Sequence, residues 1–298
     1  MNHYRQLKQL LSSLEGAYAP NTLRSYYADT IHFVDWCNAE DAQSFPLMIK
    51  TVTNYVEAQS RFLKFTTLRR RVSSLRRVNG LLGYPDLIFD DEFRIAWRRI
   101  KRRGTMMPRQ AQGINQNLLV SMIDAQPDSP LGIRNRALLS LGYDFLARRS
   151  EITALNTDDI QFLPDGSLRG IIRKSKTDPY GRGRLVFGSK RSAKLLKPWL
   201  KLKPKEITPL FCPIEHGRLK YRALSDRSVN EIIKKAVVKV SAHRPDDRAI
   251  SGHSLRVGAA QDLLINGYDH IAIMRAGGWT SINSVQNYLK FAEHNIWK

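Results

Sequence analysis

Six side chains in the second half of the sequence stand where a packed core does not require them. They are two arginines, a lysine, a histidine, a tryptophan and a tyrosine: Arg148, Lys176, His253, Arg256, Trp279 and Tyr288. Two arginines bind the nonbridging oxygens of a phosphodiester bidentately, and a histidine and an indole N–H complete an anion site. A lysine protonates the leaving oxygen while a tyrosine attacks phosphorus. The set therefore predicts phosphodiester cleavage through a covalent tyrosine link.

Each of these side chains has an ordinary structural interpretation when it is taken alone. A single arginine on a helix is usually solvated or ion-paired, and a single tyrosine usually packs with its hydroxyl at the surface. The prediction depends on the whole set, which is carried by the segments ARRSE, RKSKTD, GHSLR and AGGWTSINSVQNY in that order. Nothing in the set requires a metal ion.

The order of these segments resembles the tyrosine recombinases of the phage integrase family. The family pattern is Arg, Lys, His-x-x-Arg, His or Trp, and Tyr, and all six positions are filled here in sequence. The resemblance covers the catalytic domain. A weaker similarity, in NTLRSYYADTIHFVDWC, is to the helical core-binding domain that precedes it in simple recombinases.

The resemblance implies a role for each position. Arg148 and Arg256 are the pair that clamps the phosphate, and Lys176 is the general acid for the 5′ leaving oxygen. His253 acts in acid/base catalysis and phosphate binding, and Trp279 donates a hydrogen bond to the phosphate in place of a second histidine. Glu151 orients the site, and Tyr288 is the nucleophile.

The resemblance also implies what such an enzyme acts on and how. Its substrate is double-stranded DNA with an inverted-repeat target site, and a homotetramer holds two duplexes. Strands are exchanged through a 3′-phosphotyrosyl intermediate and a Holliday junction, with no cofactor, metal ion or ATP. The residues do not decide the target sequence, the choice among integration, excision, resolution and inversion, or whether an accessory protein takes part.

The elements that position these residues form a mainly α-helical chain in two domains. We predict a helical, SAM-like core-binding domain over residues 1–104, a linker over 105–113, and a mostly helical catalytic domain over 114–298. Within the catalytic domain, SLRGIIRKSKTD and GRGRLVFG predict a small antiparallel β-sheet whose turn carries Lys176. In the first domain, Asn21 or Thr22 is predicted to cap the second helix.

Charge indicates a polyanionic partner. The formal net charge is +21, and residues 1–108 carry 17 basic and 10 acidic side chains against 31 and 17 in the remainder. Both halves are positive, so the charge belongs to folded surfaces rather than to a tail. The helix predicted from Thr66 buries Leu68, Val72 and Leu75. It leaves outside four arginines that we predict to bind DNA: Arg69, Arg70, Arg76 and Arg77.

Cysteine content and hydropathy indicate the cellular compartment of the protein. Cys37 and Cys212 are too few and too far apart for a disulfide framework or a thiolate zinc site. No apolar run approaches the length of a membrane span or of a signal peptide. A cytoplasmic, nucleoid-associated protein is expected.

After Tyr288, the family's C-terminal helix would dock into a neighbouring subunit, and here Phe291, Ile296 and Trp297 are the candidate anchor.

Three alternatives are weighed against recombination. A type IB topoisomerase uses similar side chains, and it would relax DNA circles without site dependence. A noncatalytic DNA-binding protein of the same fold is disfavoured because every catalytic position is filled by a competent residue. A metal-dependent nuclease would have to use Asp158 and Asp159, which we interpret instead as a solvated helix end.

Overall fold

The computed structural model of the chain describes residues 3–103, 110–173, 175, 178, 181–241, 250–290 and 292. These residues are mainly helical with a small antiparallel sheet, so the predicted fold class is confirmed. The chain divides into two compact units, residues 1–108 and 109–298. Of the predicted linker, residues 105–109 lie outside the described part of the chain.

The first unit is a group of helices around an aromatic and aliphatic core. The helices are α1 His3–Ser13, α2 Pro20–Ala39, α3 Ile49–Gln59, α4 Phe65–Leu81 and α5 Asp91–Arg103. Phe33 and Tyr55 lie at the centre of the core, with ring centroids 5.1 Å apart. The predicted caps Asn21 and Thr22 are wrong: α2 begins at Pro20 with Ala19 as its N-cap, because proline fits the first helical position.

A buried carboxylate fixes α4 against α2. Asp29 accepts hydrogen bonds from Arg70 and, at 2.7 Å, from the Ser74 hydroxyl. Beside it, Arg71 donates to the Tyr55 hydroxyl at 2.8 Å. A buried charge is tolerated only when it is paired and hydrogen-bonded, so this network sets the rotation of α4 about its axis and hence which of its arginines face outward.

The second unit contains eight α-helices, a 3₁₀ turn and five short strands among its described residues. In order they are α6 Gln116–Asp124, α7 Pro130–Asp144, α8 Arg149–Ala154, the 3₁₀ turn Thr157–Asp159, β1 Ile160–Phe162, β2 Leu168–Ile172, β3 Arg184–Gly188, α9 Lys190–Leu202, β4 Ile214–Glu215, β5 Arg218–Leu219, α10 Asp226–Val240, α11 Ser254–Ile265, α12 His270–Gly277 and α13 Ile282–Leu289. Every residue of helix α7 from Ala137 to Tyr143 is buried, as expected of a central helix that is packed on all sides.

The three-stranded sheet has the order β1–β2–β3 with antiparallel pairing, which confirms the predicted hairpin. Gly170 and Gly188 face Phe145 so closely that a Cβ atom at either would lie within 3.3 Å of its ring. The inner face of the sheet is therefore filled by one ring from the end of α7, and Leu185 and Phe187 are left exposed on the other face.

The interpretation of Asp158 and Asp159 as a solvated helix end is half wrong. Asp158 is exposed, whereas Asp159 is buried and accepts from the Asn156 backbone N–H at 2.8 Å and from Arg173 Nε at 2.6 Å. These hydrogen bonds give Asp159 a structural role in the turn before β1. No group of acidic, histidine or cysteine side chains suited to a metal ion occurs among the described residues.

No helix in the described part of the chain has the length and apolar character needed to cross a membrane.

Candidate active site

Arg148 is held at the turn between α7 and α8. Leu146 has a φ of 45°, a left-handed conformation that reverses the chain after α7 and brings Arg148 to the N-cap of α8. Glu151 then accepts from the Arg148 backbone N–H at 2.9 Å and from Arg148 Nη1 at 2.5 Å. One buried carboxylate therefore fixes both the backbone and the guanidinium of Arg148, as the predicted orienting role requires.

Glu151 is ionised although it is buried. Burial by itself would raise its pKa, but the Arg148 backbone N–H and the charges of Arg184 and Arg148 outweigh burial, so the pKa of Glu151 lies below its ordinary value. Arg184 Nη2 donates to the second carboxylate oxygen at 3.1 Å. Two guanidinium groups thus share one carboxylate, and the cluster keeps a net positive charge.

Arg256 is a buried cation with unused donors. It projects from the first turn of α11, and its Nη1 donates to the Leu146 carbonyl oxygen. Its Nε and Nη2 are buried and have no hydrogen-bond partner among the described residues. Burial, together with the charge of Arg148, lowers the pKa of Arg256 to about 10, so the group stays protonated at neutral pH. Two oriented donors on a desolvated cation form a site for an anion.

The nucleophile candidate lies beside this cation. The Arg256 guanidinium carbon is 4.0 Å from the Trp279 ring centroid and 5.5 Å from that of Tyr288. The two rings meet edge to face, with centroids 4.8 Å apart. Gln110 and Gln261 both donate to the backbone oxygen of Tyr288, at 3.0 and 3.1 Å. These two amides fix the end of α13 against α11, so the half-buried tyrosine is held near the anion site.

His253 is the exposed N-cap residue at the start of α11. The turn before it is fixed by a hydrogen bond of 2.8 Å from the Gly252 N–H to Asn230 Oδ1. Arg149 lies flat against Gly252, where a Cβ atom would overlap its side chain. Because His253 and Arg256 share the first turn of α11, the structure places both on the same short segment.

Two sets of predicted residues are not placed by the structure. Lys176 lies outside the described residues, as do Phe291, Ile296 and Trp297 of the predicted C-terminal anchor. Around Lys176, the structure describes Arg173, Ser175 and Asp178, and Ile172 on β2 pairs with Arg184 on β3. The prediction for Lys176 therefore stays a prediction.

The four predicted DNA-binding arginines of α4 differ in their environment. Arg70 pairs with Asp29, Arg76 pairs with Asp86, and Arg77 donates to the Tyr18 hydroxyl. Arg69 is exposed and has no ion pair or hydrogen bond among the described residues. Arg76 and Arg77 also lie over the rings of Phe89 and Tyr18, so part of their role is packing.

A groove with a volume of about 750 Å³ runs between α4 and α5. Aromatic residues on or just before α5 form its floor, since the Phe89 and Phe93 rings stack at 4.3 Å and those of Phe93 and Trp97 at 5.4 Å. Its cationic residues include Arg94 and Arg98, which the sequence interpretation left out. The basic run RRIKRR at the end of α5 was the signal available in the sequence.

Sequence reasoning also missed Arg184, Gln110 and Gln261. Gln110 and Arg184 lie outside every motif of the family pattern, and Gln261 is one of several polar residues on α11. Only the fold brings them to the site. Arg184 is on the inner face of β3, and the glutamines meet at the carbonyl group of Tyr288.

The fold and the site together define a class of protein: a helical enzyme with a tyrosine beside a buried, under-bonded arginine, suited to attack on a phosphodiester. The phage integrase family model matches residues 112–294. The integrase/recombinase xerD homolog of Selenomonas ruminantium is 30% identical over 296 residues, covering 96% of this chain and 85% of that protein. Recombinase cre of Escherichia phage P1 is 27% identical over 294 residues, covering 92% and 85%.

Solved structures share the fold. XerH site-specific recombinase bound to a palindromic difH substrate, in a post-cleavage complex, superimposes with a TM-score of 0.71 at 18% identity, covering 98% of this chain and 82% of that one. The Tn1549 transposon integrase in complex with circular intermediate DNA gives 0.67 at 13% identity, covering 95% and 94%. The chain belongs to the phage integrase family, and it is a tyrosine site-specific recombinase.

Proposed function

We propose that this recombinase binds double-stranded DNA at an inverted-repeat site and exchanges strands between two duplexes, through Tyr288 as nucleophile. The observation that carries the proposal is Arg256. Its Nε and Nη2 are buried without a partner among the described residues, and its guanidinium lies against the rings of Trp279 and Tyr288. A scissile phosphate provides the two acceptor oxygens that these donors lack.

Cleavage breaks one P–O bond and forms another. The Tyr288 oxygen attacks phosphorus and gives its proton to His253, the bond to the 5′ oxygen breaks, and Lys176 supplies the proton to that oxygen. Arg148 and Arg256 stabilise the charge on the nonbridging oxygens, and His253 and Trp279 donate to the same group. The products are a 3′-phosphotyrosyl link and a free 5′-hydroxyl.

Rejoining reverses these steps on a different strand. The 5′-hydroxyl of the partner duplex attacks the phosphotyrosyl phosphorus and gives its proton to Lys176, while His253 returns a proton to the Tyr288 oxygen as it leaves. Because the covalent link keeps the phosphodiester energy, the exchange needs neither ATP nor hydrolysis. A first exchange gives a Holliday junction and a second resolves it, so a homotetramer on two duplexes supplies the required four active sites.

DNA contacts of the first unit are proposed on the outer side of α4 and α5. Arg69, Arg94 and Arg98 line the groove there and keep charge that buried partners do not neutralise. Arg70, Arg76 and Arg77 stay in the proposed set, although each also makes an intramolecular contact. Phosphate contacts of this kind position a protein on DNA without reading its sequence.

Covalent trapping tests the proposed function. Wild-type protein and a Tyr288→Phe variant are incubated with DNA from the flanks of the gene, without metal or ATP, and denatured. We expect a protein–DNA adduct only in the wild type, because phenylalanine lacks the attacking oxygen.

The matched control is Tyr268→Phe, which removes a hydroxyl from an exposed tyrosine between α11 and α12 and should leave the adduct in place. Tight binding to a site without any wild-type adduct would contradict the proposal. An adduct that still forms with Tyr288→Phe would show that another residue is the nucleophile.

A further inference from the structure

We propose that Arg184 is a positioning residue of the cleavage site, one that holds Arg148 and Trp279 in a single arrangement. The inference rests on the proposed function, since it concerns the same site. Arg184 is the first residue of β3, and its side chain is 15% exposed. It points to the inner face of the sheet together with Val186 and Gly188.

The first contact of Arg184 is with the clamp arginine through a shared carboxylate. Arg184 Nη2 donates to Glu151 Oε2 at 3.1 Å, while Arg148 Nη1 donates to Oε1 of the same group at 2.5 Å. The carboxylate is 1% exposed, and Arg148 supplies one hydrogen bond to each of its oxygens, so Arg184 adds a second bond to Oε2 and a second positive charge. Arg184 therefore fixes the plane of Glu151 and, through it, the direction of Arg148.

The second contact is with the segment that leads to Trp279. Arg184 Nη1 donates at 2.6 Å to the backbone oxygen of Ala276, in the last turn of α12. The last carbonyls of a helix have no intrahelical donor, and a cation is favoured there by the helix dipole. Gly278 follows with a φ of 65°, and a Cβ atom on it would lie 2.7 Å from the Arg184 Cδ. Arg184 thus packs against the residue next to Trp279.

The third contact is with the end of α7. Both Nη atoms of Arg184 are 3.5 Å from the backbone oxygen of Phe145, and the next carbonyl, that of Leu146, accepts from Arg256. One guanidinium group thus touches the three segments from which Arg148, Arg256 and Trp279 receive their positions. Burial lowers the pKa of Arg184, and the charge of Glu151 opposes that effect.

The test compares Arg184→Met and Arg184→Lys with a matched control, Arg191→Met. Arg191 is another partly buried arginine of the same unit, and it pairs with Asp144 at 3.2 Å and donates to Ser140 at 3.1 Å rather than to Glu151 or Ala276. Single-turnover adduct formation is measured at saturating enzyme on the trapped DNA site, and DNA affinity is measured separately.

We expect Arg184→Met to slow adduct formation about 10²-fold, as misplacement of catalytic groups does, while the Kd for DNA stays within about threefold. Arg184→Lys should be intermediate, because one ammonium group replaces only one of the three contacts. Adding Arg184→Met to Glu151→Gln should slow cleavage by less than the product of the two single effects, since both variants release Arg148. Arg191→Met should cleave at the wild-type rate.

A second readout does not depend on cleavage and separates this inference from the proposed function. In the DNA-free protein, the backbone N–H of Trp279 donates to the Met274 oxygen at 3.0 Å, and its hydrogen exchange reports the position of that segment. We expect the Trp279 backbone N–H to exchange about tenfold faster in Arg184→Met than in the wild type, and at the wild-type rate in Arg191→Met. Unchanged exchange, wild-type cleavage or additive effects with Glu151→Gln would each overturn the positioning role.

Discussion

At the scale of single residues, the site combines a strained backbone with an under-bonded cation. Leu146 adopts a left-handed conformation that glycine or asparagine takes more readily, and its carbonyl oxygen accepts from Arg256. The guanidinium keeps two buried donors without protein partners among the described residues. Such donors cost stability in the free protein and are useful only when an anion arrives.

Arg256→Met separates these two effects. Replacing a buried, incompletely bonded charge with an apolar side chain of similar length removes a desolvation cost, so we expect unchanged or raised free energy of unfolding. Adduct formation should fall at least about 10²-fold, because an oxyanion donor is lost. Urea denaturation and single-turnover trapping measure the two quantities. A variant that unfolds more easily and still forms adduct at the wild-type rate would contradict the anion-site interpretation.

At the scale of elements, α11 organises the catalytic unit. It carries Arg256, and the segment before α6 lies directly on it, with Ile114 N–H donating to the Ser254 oxygen at 2.9 Å. The approach is close because residue 258 is glycine: a Cβ atom there would overlap the Ile114 backbone. The same segment brings Gln110 to the carbonyl group of Tyr288.

Gly258→Ala should therefore destabilise the catalytic unit by about 1–3 kcal/mol or more, since the overlap is with backbone rather than with a flexible side chain. The matched control is Gly142→Ala in α7, another buried helical glycine. There the nearest atoms are the terminal methyl groups of Ile152 and Leu255, at 3.0 and 3.1 Å. These methyl groups can shift, so that variant should stay within about 1 kcal/mol of the wild type. Thermal and urea unfolding measure the stability of both variants. Equal losses of unfolding free energy in the two would contradict the inference that Gly258 is required by its contact with the Ile114 backbone.

At the scale of the whole molecule, positive charge is spread over both units. Residues 1–108 have a net charge of +7 and the remainder +14, from 17 basic against 10 acidic and 31 against 17 side chains. Among the described residues, three acidic side chains (Asp29, Glu151 and Asp159) and three basic ones (Arg134, Lys203 and Arg256) are buried. The surface therefore keeps the positive excess of the composition.

This distribution predicts steeply salt-dependent DNA binding. If the enzyme neutralises about 6–10 phosphates, its affinity should fall about 10³-fold or more between 50 and 200 mM salt, because bound counterions are released. Fluorescence anisotropy over a salt series measures the slope. Arg69→Ala and Arg98→Ala, on the α4–α5 groove, should each lower the slope by about one. A flat dependence would contradict binding along the DNA backbone.

The class of enzyme and the order of its motifs along the chain could be predicted from the sequence. The motifs of Arg148, His253, Arg256, Trp279 and Tyr288 are local, because a helix end or the turn beside it presents each of them within a few residues. Helical periodicity likewise predicted α4 with its buried Leu68, Val72 and Leu75. Patterns of this kind are readable because backbone geometry alone generates them.

Which polar residues face the site could not be predicted from the sequence, because it depends on packing between distant segments of the chain. Along β3, the apolar Leu185 and Phe187 suggest an inward face, yet they are exposed and Arg184 points inward. The alternation is inverted because Phe145, from the end of α7, fills the space under Gly170 and Gly188. Which face of a short strand is buried depends on what packs against it, and that partner lies about 40 residues away in the chain.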